Sequence, residues 1–138
     1  MPTDDKYAIE LLGRTAYGRV SASRRALPFT AVTRHLVLDG RLTLRLHRGH
    51  DYHQALDGSV VAYQADNAHS DACDTWSVQV TGTARVHDPG TGERALFGHP
   101  PLLADGEPYD PVFLRLAPQF VTVHRLSDGP SSRYAHSA

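Results

Sequence analysis

The chain has 138 residues, enough for one domain that buries its own core without staples. Its 41% hydrophobic and 21% charged content is that of a globular protein, and a net charge of −1 offers no electrostatic pull toward nucleic acid or anionic membrane. No apolar run approaches the ~20 residues of a membrane span, and the start Met1-Pro2-Thr3-Asp4-Asp5 lacks the basic, apolar character of a leader, so a cytoplasmic protein is expected. Cys73 is the only cysteine, which excludes an intrachain disulfide and a cysteine zinc cluster. There are 13 arginines against the single Lys6, the skew of a GC-rich, bacterial genome. Any phosphate grip must therefore come from Arg, His or backbone N–H groups.

In chain order, Thr3 can cap a first helix in which Tyr7, Ala8, Leu11 and Leu12 share a side and Gly13 is the stop. Arg14 to Ser23 alternates as a strand, and Gly18 within it marks a bulge or a close backbone approach. Pro28 to Arg34 reads as a second strand and His35 to Leu38 as a third, followed by a tight Asp39-Gly40 hairpin. The returning strand sets Leu42, Leu44 and Leu46 against Arg41, Thr43, Arg45 and His47, the pattern of a half-buried strand. Asp51 to Leu56 predicts a short helix, Val60 to Ala65 a strand, and Asp66 to Thr75 a polar loop. A long strand runs from Trp76 to Val86, with Trp76, Val78 and Val80 on one face. After a short helix near Glu93 to Phe97 and a Gly/Pro-rich loop, Val112 to Leu116 and Phe120 to Leu126 read as two strands broken at Ala117-Pro118. The expected architecture is mainly β with minor α. It is a barrel of six to seven antiparallel strands over residues 1–126, with a flexible tail at 127–138.

This order of a helix, a Gly-containing strand, a Pro-initiated strand, an Asp-Gly hairpin, a short helix and a Trp-Ser-Val strand is similar to the FMN-binding split barrel of the pyridoxamine 5'-phosphate oxidase-like family. The closing Phe113-Leu114-Arg115-Leu116-Ala117-Pro118 and Val121-Thr122-Val123-His124-Arg125 strengthen the likeness, which covers roughly residues 7–126. It implies a homodimer with flavin at the subunit interface, acting as an oxidoreductase on a small organic substrate. Phe29, Thr30 and Val32 would lie along the flavin ring. Arg45, His47, Arg48 and His50 would hold the phosphate, and Trp76, on the strand nearest the partner subunit, would also contact the cofactor. Trp76, Val78 and Val80, with Phe113 to Leu116, are the candidate interface.

One departure is specific. Where the family places a Gly-Ser-Lys turn, this chain has Gly49-His50-Asp51, and a carboxylate stands where a cation is expected. Asp51 would repel a phosphate unless Arg or His compensates. A rival reading follows, in which the old flavin pocket takes deazaflavin, haem or a metal, or in which His50 and Asp51 act as a non-redox acid–base pair. His47, His50 and His53 are spaced three apart and can share a metal only if they share a face; a solvated polar loop is the plainer reading. No nucleophile elbow, phosphate loop or dinucleotide fingerprint occurs, in keeping with chemistry supplied by a cofactor.

Overall fold

Left-handed turns organise the first half of the structure. The computed structural model describes residues 4–68, 70 and 74–127. In it, β1 (Tyr17–Arg24) and β2 (Leu27–Leu38) are joined through Arg25 and Ala26, at φ 51° and 67°. The next turn is the expected one: Asp39 and Gly40, at φ 52° and 74°, lead into β3 (Arg41–His47). Positive φ at both central residues gives a hairpin whose twist matches its strands. A 3-10 turn (Arg48–His50), α2 (Tyr52–Leu56), β4 (Val60–Asp66), β5 (Asp74–Val86), α3 (Thr91–Phe97) and β6 (Pro111–Ser127) follow, and α1 (Asp4–Leu12) precedes them all. The strands form a closed antiparallel ring in the order β1-β2-β3-β6-β5-β4. Thr3, His69, Cys73 and the expected tail beyond Ser127 lie outside the described residues.

The ring has six strands because two expected breaks are absent. Residues 28–38 form one strand rather than two: Thr33 and His35, which look like an interruption in sequence, point inward and are buried. Residues 111–127 likewise form one strand. Thr81 pairs with Phe120 and Gly82 with Pro118, so Gln119 is an extra residue, and the bulge absorbs the proline that reads as a break. The bulge also switches parity. Val112, Leu114 and Leu116 face the core before it, and Val121 and Val123 pack against the core after it.

Leu42, Leu44 and Leu46 of β3, Val78 and Val80 of β5, and Leu114 and Leu116 of β6 fill the barrel. Helix α1 buries Ala8, Leu11 and Leu12 against β5 and β6. Trp76, Val78 and Val80 belong to this core, and Phe113 to Leu116 are buried or half-buried, so the interface surface expected from sequence is not on the outside. Strand β3 also departs from expectation. It is buried on both faces, because α3 covers its outer side: Thr43 Oγ1 donates to Glu93 Oε1 at 2.6 Å. Burial pushes the Glu93 carboxyl up, but the Thr43 hydroxyl, with His87 and Arg115, outweighs it and holds the pKa below the usual carboxylate range.

A buried polar chain ties α1 to the barrel. His35 Nε2 donates to Leu12 O at 2.9 Å, at the end of α1, and Tyr63 Oη donates to His35 Nδ1 at 2.5 Å. Gly18 makes room for this arrangement, since a Cβ there would stand 2.5 Å from the Tyr63 ring. The close approach anticipated at Gly18 is thereby accounted for. Burial lowers the His35 pKa below 6.5, with Arg34 adding to the effect and the Leu12 carbonyl opposing it. A histidine depressed in the folded state favours folding above its unfolded pKa, and that contribution is lost as pH falls through the folded value. Thermal melts from pH 7.5 to pH 5 should therefore show falling stability. The His35→Phe variant should be less stable at pH 7.5 yet flatter across that window. An unchanged pH slope in the variant would count against this role.

Candidate functional site

A cavity of about 270 Å³ lies between β2 and the end of β3. Strand β2 supplies Thr30, Ala31 and Val32; β3 supplies Arg45, Leu46 and His47; the 3-10 turn adds His50 and α2 adds Tyr52. Tyr109, from the irregular segment 98–110, closes the far side. The lining combines exposed Val32, aromatic Tyr52 and Tyr109, and polar Thr30, with Arg45, His47 and His50 toward the end of β3, residue types that suit a small-molecule site.

Arg45 anchors that end. It is buried, and its Nη1 donates to Phe97 O at 3.3 Å and Gly98 O at 3.4 Å, the carbonyls where α3 ends. Its guanidinium lies 5.4 Å from the Phe97 ring centre and 5.7 Å from that of Tyr109. The buried Nε has no hydrogen-bond partner. Burial raises the Tyr109 pKa, and Arg45 partly offsets the shift. The phenol thus stays a neutral donor at physiological pH.

His47 is oriented by the backbone. Its Nδ1 accepts from Asp110 N at 3.0 Å, which places the proton of the neutral ring on Nε2. The His47 and His50 rings stand 4.8 Å apart and nearly perpendicular; Tyr109 lies 5.2 Å from His47 and Tyr52 lies 5.8 Å from His50. Gly49 lets the His47 ring lie close to the turn, since a Cβ there would come within 2.5 Å of His47 Nε2 and the ring would have to swing away. Asp51 follows at φ 61° and ψ 7°, a left-handed residue joining the 3-10 turn to α2. Asp tolerates that conformation far better than most residues, which supplies a backbone reason for the acid at this position.

Of the residues singled out in sequence, Thr30, Val32, Arg45, His47 and His50 meet in this cavity. Phe29 stands behind it, stacked on Tyr52 at 5.2 Å with the rings 11° from parallel. Arg48 turns away to Asp110, 3.5 Å between Nε and Oδ2, an exposed pair of little strength. Trp76 lies inside the barrel among the core side chains. His53 is buried on α2 with its Nδ1 unpartnered, so it does not join His47 and His50 in the cavity. Among the described residues, no three His, Cys, Asp or Glu side chains are grouped to hold a metal. Sequence reasoning missed Tyr52 and Tyr109. Tyr52 carried a signal, as the aromatic residue opening the helix after the glycine turn, while Tyr109 sits in a stretch with no periodicity. No helix is long and apolar enough to cross a membrane among the described residues.

Solved structures that superpose on this fold share little sequence with it. An FAD binding protein from Mycobacterium smegmatis superposes with a TM-score of 0.66 at 22% identity, covering 87% of this chain and 94% of that one. A candidate pyridoxamine 5'-phosphate oxidase from Corynebacterium glutamicum gives 0.67 at 22% identity, covering 93% of each chain. A haem binding protein from M. smegmatis gives 0.64 at 16% identity, covering 93% of this chain and 59% of that one. In sequence, an uncharacterised protein of Mycobacterium tuberculosis is 39% identical over 92 residues, which are 62% of this chain and 60% of the relative's length. The family model for pyridoxamine 5'-phosphate oxidase matches residues 4–125. With that match over most of its length and six antiparallel strands closed in a ring, the chain belongs to the pyridoxamine 5'-phosphate oxidase family and is a split barrel.

Proposed function

We propose that this chain binds FMN along β2 and the end of β3, and that it is an oxidoreductase acting on a small organic substrate. The carrying observation is the convergence of Thr30, Val32, Arg45, His47 and His50 on one cavity, beside a buried Arg45 Nε that lacks a partner. These residues fit a flavin: exposed Val32 on β2 offers an apolar contact for the ring, Tyr52 and Tyr109 flank it, and Arg45, His47 and His50 supply donors for a phosphate. A second hollow of about 520 Å³ adjoins the first, and His47 and His50 line both, so the slot extends past its polar end. Flavin supplies hydride transfer when bound. The chain's part is to hold the ring against β2 and donate to the phosphate.

The proposed partner is a second copy of the chain. The outer faces of β6, β5, β4, β1 and β2 carry exposed Phe120, Leu126, Val60 and Val32 among uncharged Ser77, Gln79, Thr81 and Thr122. A sheet face that carries these apolar side chains among uncharged polar ones can pack on its symmetry copy. Light scattering should give twice the 15.1 kDa chain mass, and Phe120→Glu should give the monomer. A monomeric wild type at micromolar concentration would remove the interfacial argument.

Titration with FMN tests the cofactor. The expected result is a flavin spectrum on the protein, with Asp51→Asn tightening FMN roughly threefold at low salt, since it removes an exposed negative charge and keeps a residue that accepts the left-handed turn. Protein that stays colourless and ignores FMN overturns the reading. The rival is haem, favoured by the paired imidazoles of His47 and His50 in the same cavity. Haemin giving a Soret band that His50→Ala abolishes, without FMN binding, would select it.

A further inference from the structure

We propose that the cleft where β1 parts from β4 binds a compact organic oxyanion, a carboxylate or a phosphate ester, through Arg14 and Arg19. Strand β1 runs from Tyr17 and β4 runs to Asp66, yet the two pair only across Arg19–Ser21 and residues 62–64. Beyond that short ladder they diverge, and a cavity of about 580 Å³ opens between them, within the size range of small-molecule sites. Arg14, Tyr17 and Arg19 line one side, with Val32 of β2 beside Arg19, and Ala65, Asp66 and Ala68 line the other. Tyr17, Val32 and Ala65 give an apolar contact for a carbon skeleton, and two guanidinium groups stand at its edge.

The arginine donors are not used up by the protein. Arg19 makes no hydrogen bond among the described residues, and its nearest carboxylate oxygen, Asp66 Oδ2, is 4.0 Å from Nη1. Asp66 is committed elsewhere: Oδ2 accepts from Gln64 Nε2 at 2.8 Å and Oδ1 from Ala68 N at 3.0 Å. Arg14 pairs with Glu10 at 3.0 Å, a helix-end contact with both side chains more than half exposed. Each planar guanidinium thus keeps a fork of N–H donors that matches the two oxygens of an oxyanion. Val32 lines both this cleft and the cavity proposed for FMN, so the two sites adjoin across one side chain. Resting on the flavin reading, the oxyanion ligand is then the substrate, held beside the ring.

The test is calorimetric titration of the full chain with benzoate, phenyl phosphate and the neutral analogue benzamide, in FMN-free and FMN-loaded protein. Benzoate or phenyl phosphate should bind about tenfold more tightly than benzamide, the difference expected from one charge-assisted contact. The tighter of the two identifies carboxylate or phosphate. Arg19→Gln and Arg14→Gln should each erase that preference, and Asp66→Asn should strengthen anion binding, an increase that a purely structural role for Asp66 would not produce. Equal binding of benzoate and benzamide, or an anion preference that survives Arg19→Gln, overturns the site. Anion binding in FMN-free protein supports the site whatever FMN does. A benzoate-induced change in the bound flavin spectrum supports the substrate role, and its absence in FMN-loaded protein overturns that role alone.

Discussion

Gly82→Ala should lower the melting temperature by about 10 °C, a loss of about 3 kcal/mol at this chain length. A Cβ at Gly82 would stand 2.2 Å from the carbonyl oxygen of Ala117 and 3.1 Å from Leu116 Cδ1. The first contact is with backbone, and relieving it means pulling β6 off β5 at the bulge. Because the bulge sets which residues of β6 face the core on either side of it, the damage would reach Leu114 and Leu116, which pair with Leu44 and Leu42 of β3. Thr83→Ala, one residue on and only half-buried, serves as the control and should shift the midpoint by less than about 2 °C. Calorimetric melts of both variants check this, and comparable midpoints for the two would show that the bulge can relax.

Arg45→Met should weaken FMN binding by at least tenfold, and by up to about a hundredfold, the range expected for losing a charge-assisted hydrogen bond in a site shielded from water. Methionine keeps much of the stem volume, so the variant separates charge from packing. It should also cost stability, because the Phe97 and Gly98 carbonyls lose their donor and the end of α3 loses its tie to β3. The two effects are separable by measurement. FMN affinity by fluorescence quenching reports the first and a melt reports the second. A variant that binds FMN like wild type, however unstable, places the phosphate elsewhere in the site. Arg45→Lys should recover little affinity, since a compact ammonium does not reproduce the planar fork of donors by which Arg45 spans the Phe97 and Gly98 carbonyls and the cavity.

Much of the fold is legible in the sequence, because it rests on local rules. The alternation of Leu42, Leu44 and Leu46, the Asp39-Gly40 turn, and the long strand from Trp76 each follow from side-chain period or turn chemistry confined to a few residues. The Arg25-Ala26 turn was not legible, since neither residue is a usual occupant of positive φ. Buried polar groups misled in the same way. His35 breaks the apolar run of β2 in sequence, but it is satisfied in space by Leu12 O and Tyr63 Oη from distant segments. Arg45 reads as the solvated side of an amphipathic strand, yet α3 lies over it.

For the site, residue types and neighbourhoods on β2 and β3 were readable: Thr30, Val32, Arg45, His47 and His50 are close in sequence and a hairpin necessarily brings their strands together. Sequence by itself therefore determined most of the strand pattern, the family and the β2–β3 stretch that lines the cavity, because side-chain period and turn chemistry act between near neighbours along the chain. The tertiary structure alone decided the rest. It inserted β6 between β3 and β5, turned Trp76 into the barrel, sent His53 away from His47 and His50, and brought Tyr109 across to face Arg45. These outcomes depend on which distant surfaces bury each other, and no local period encodes that.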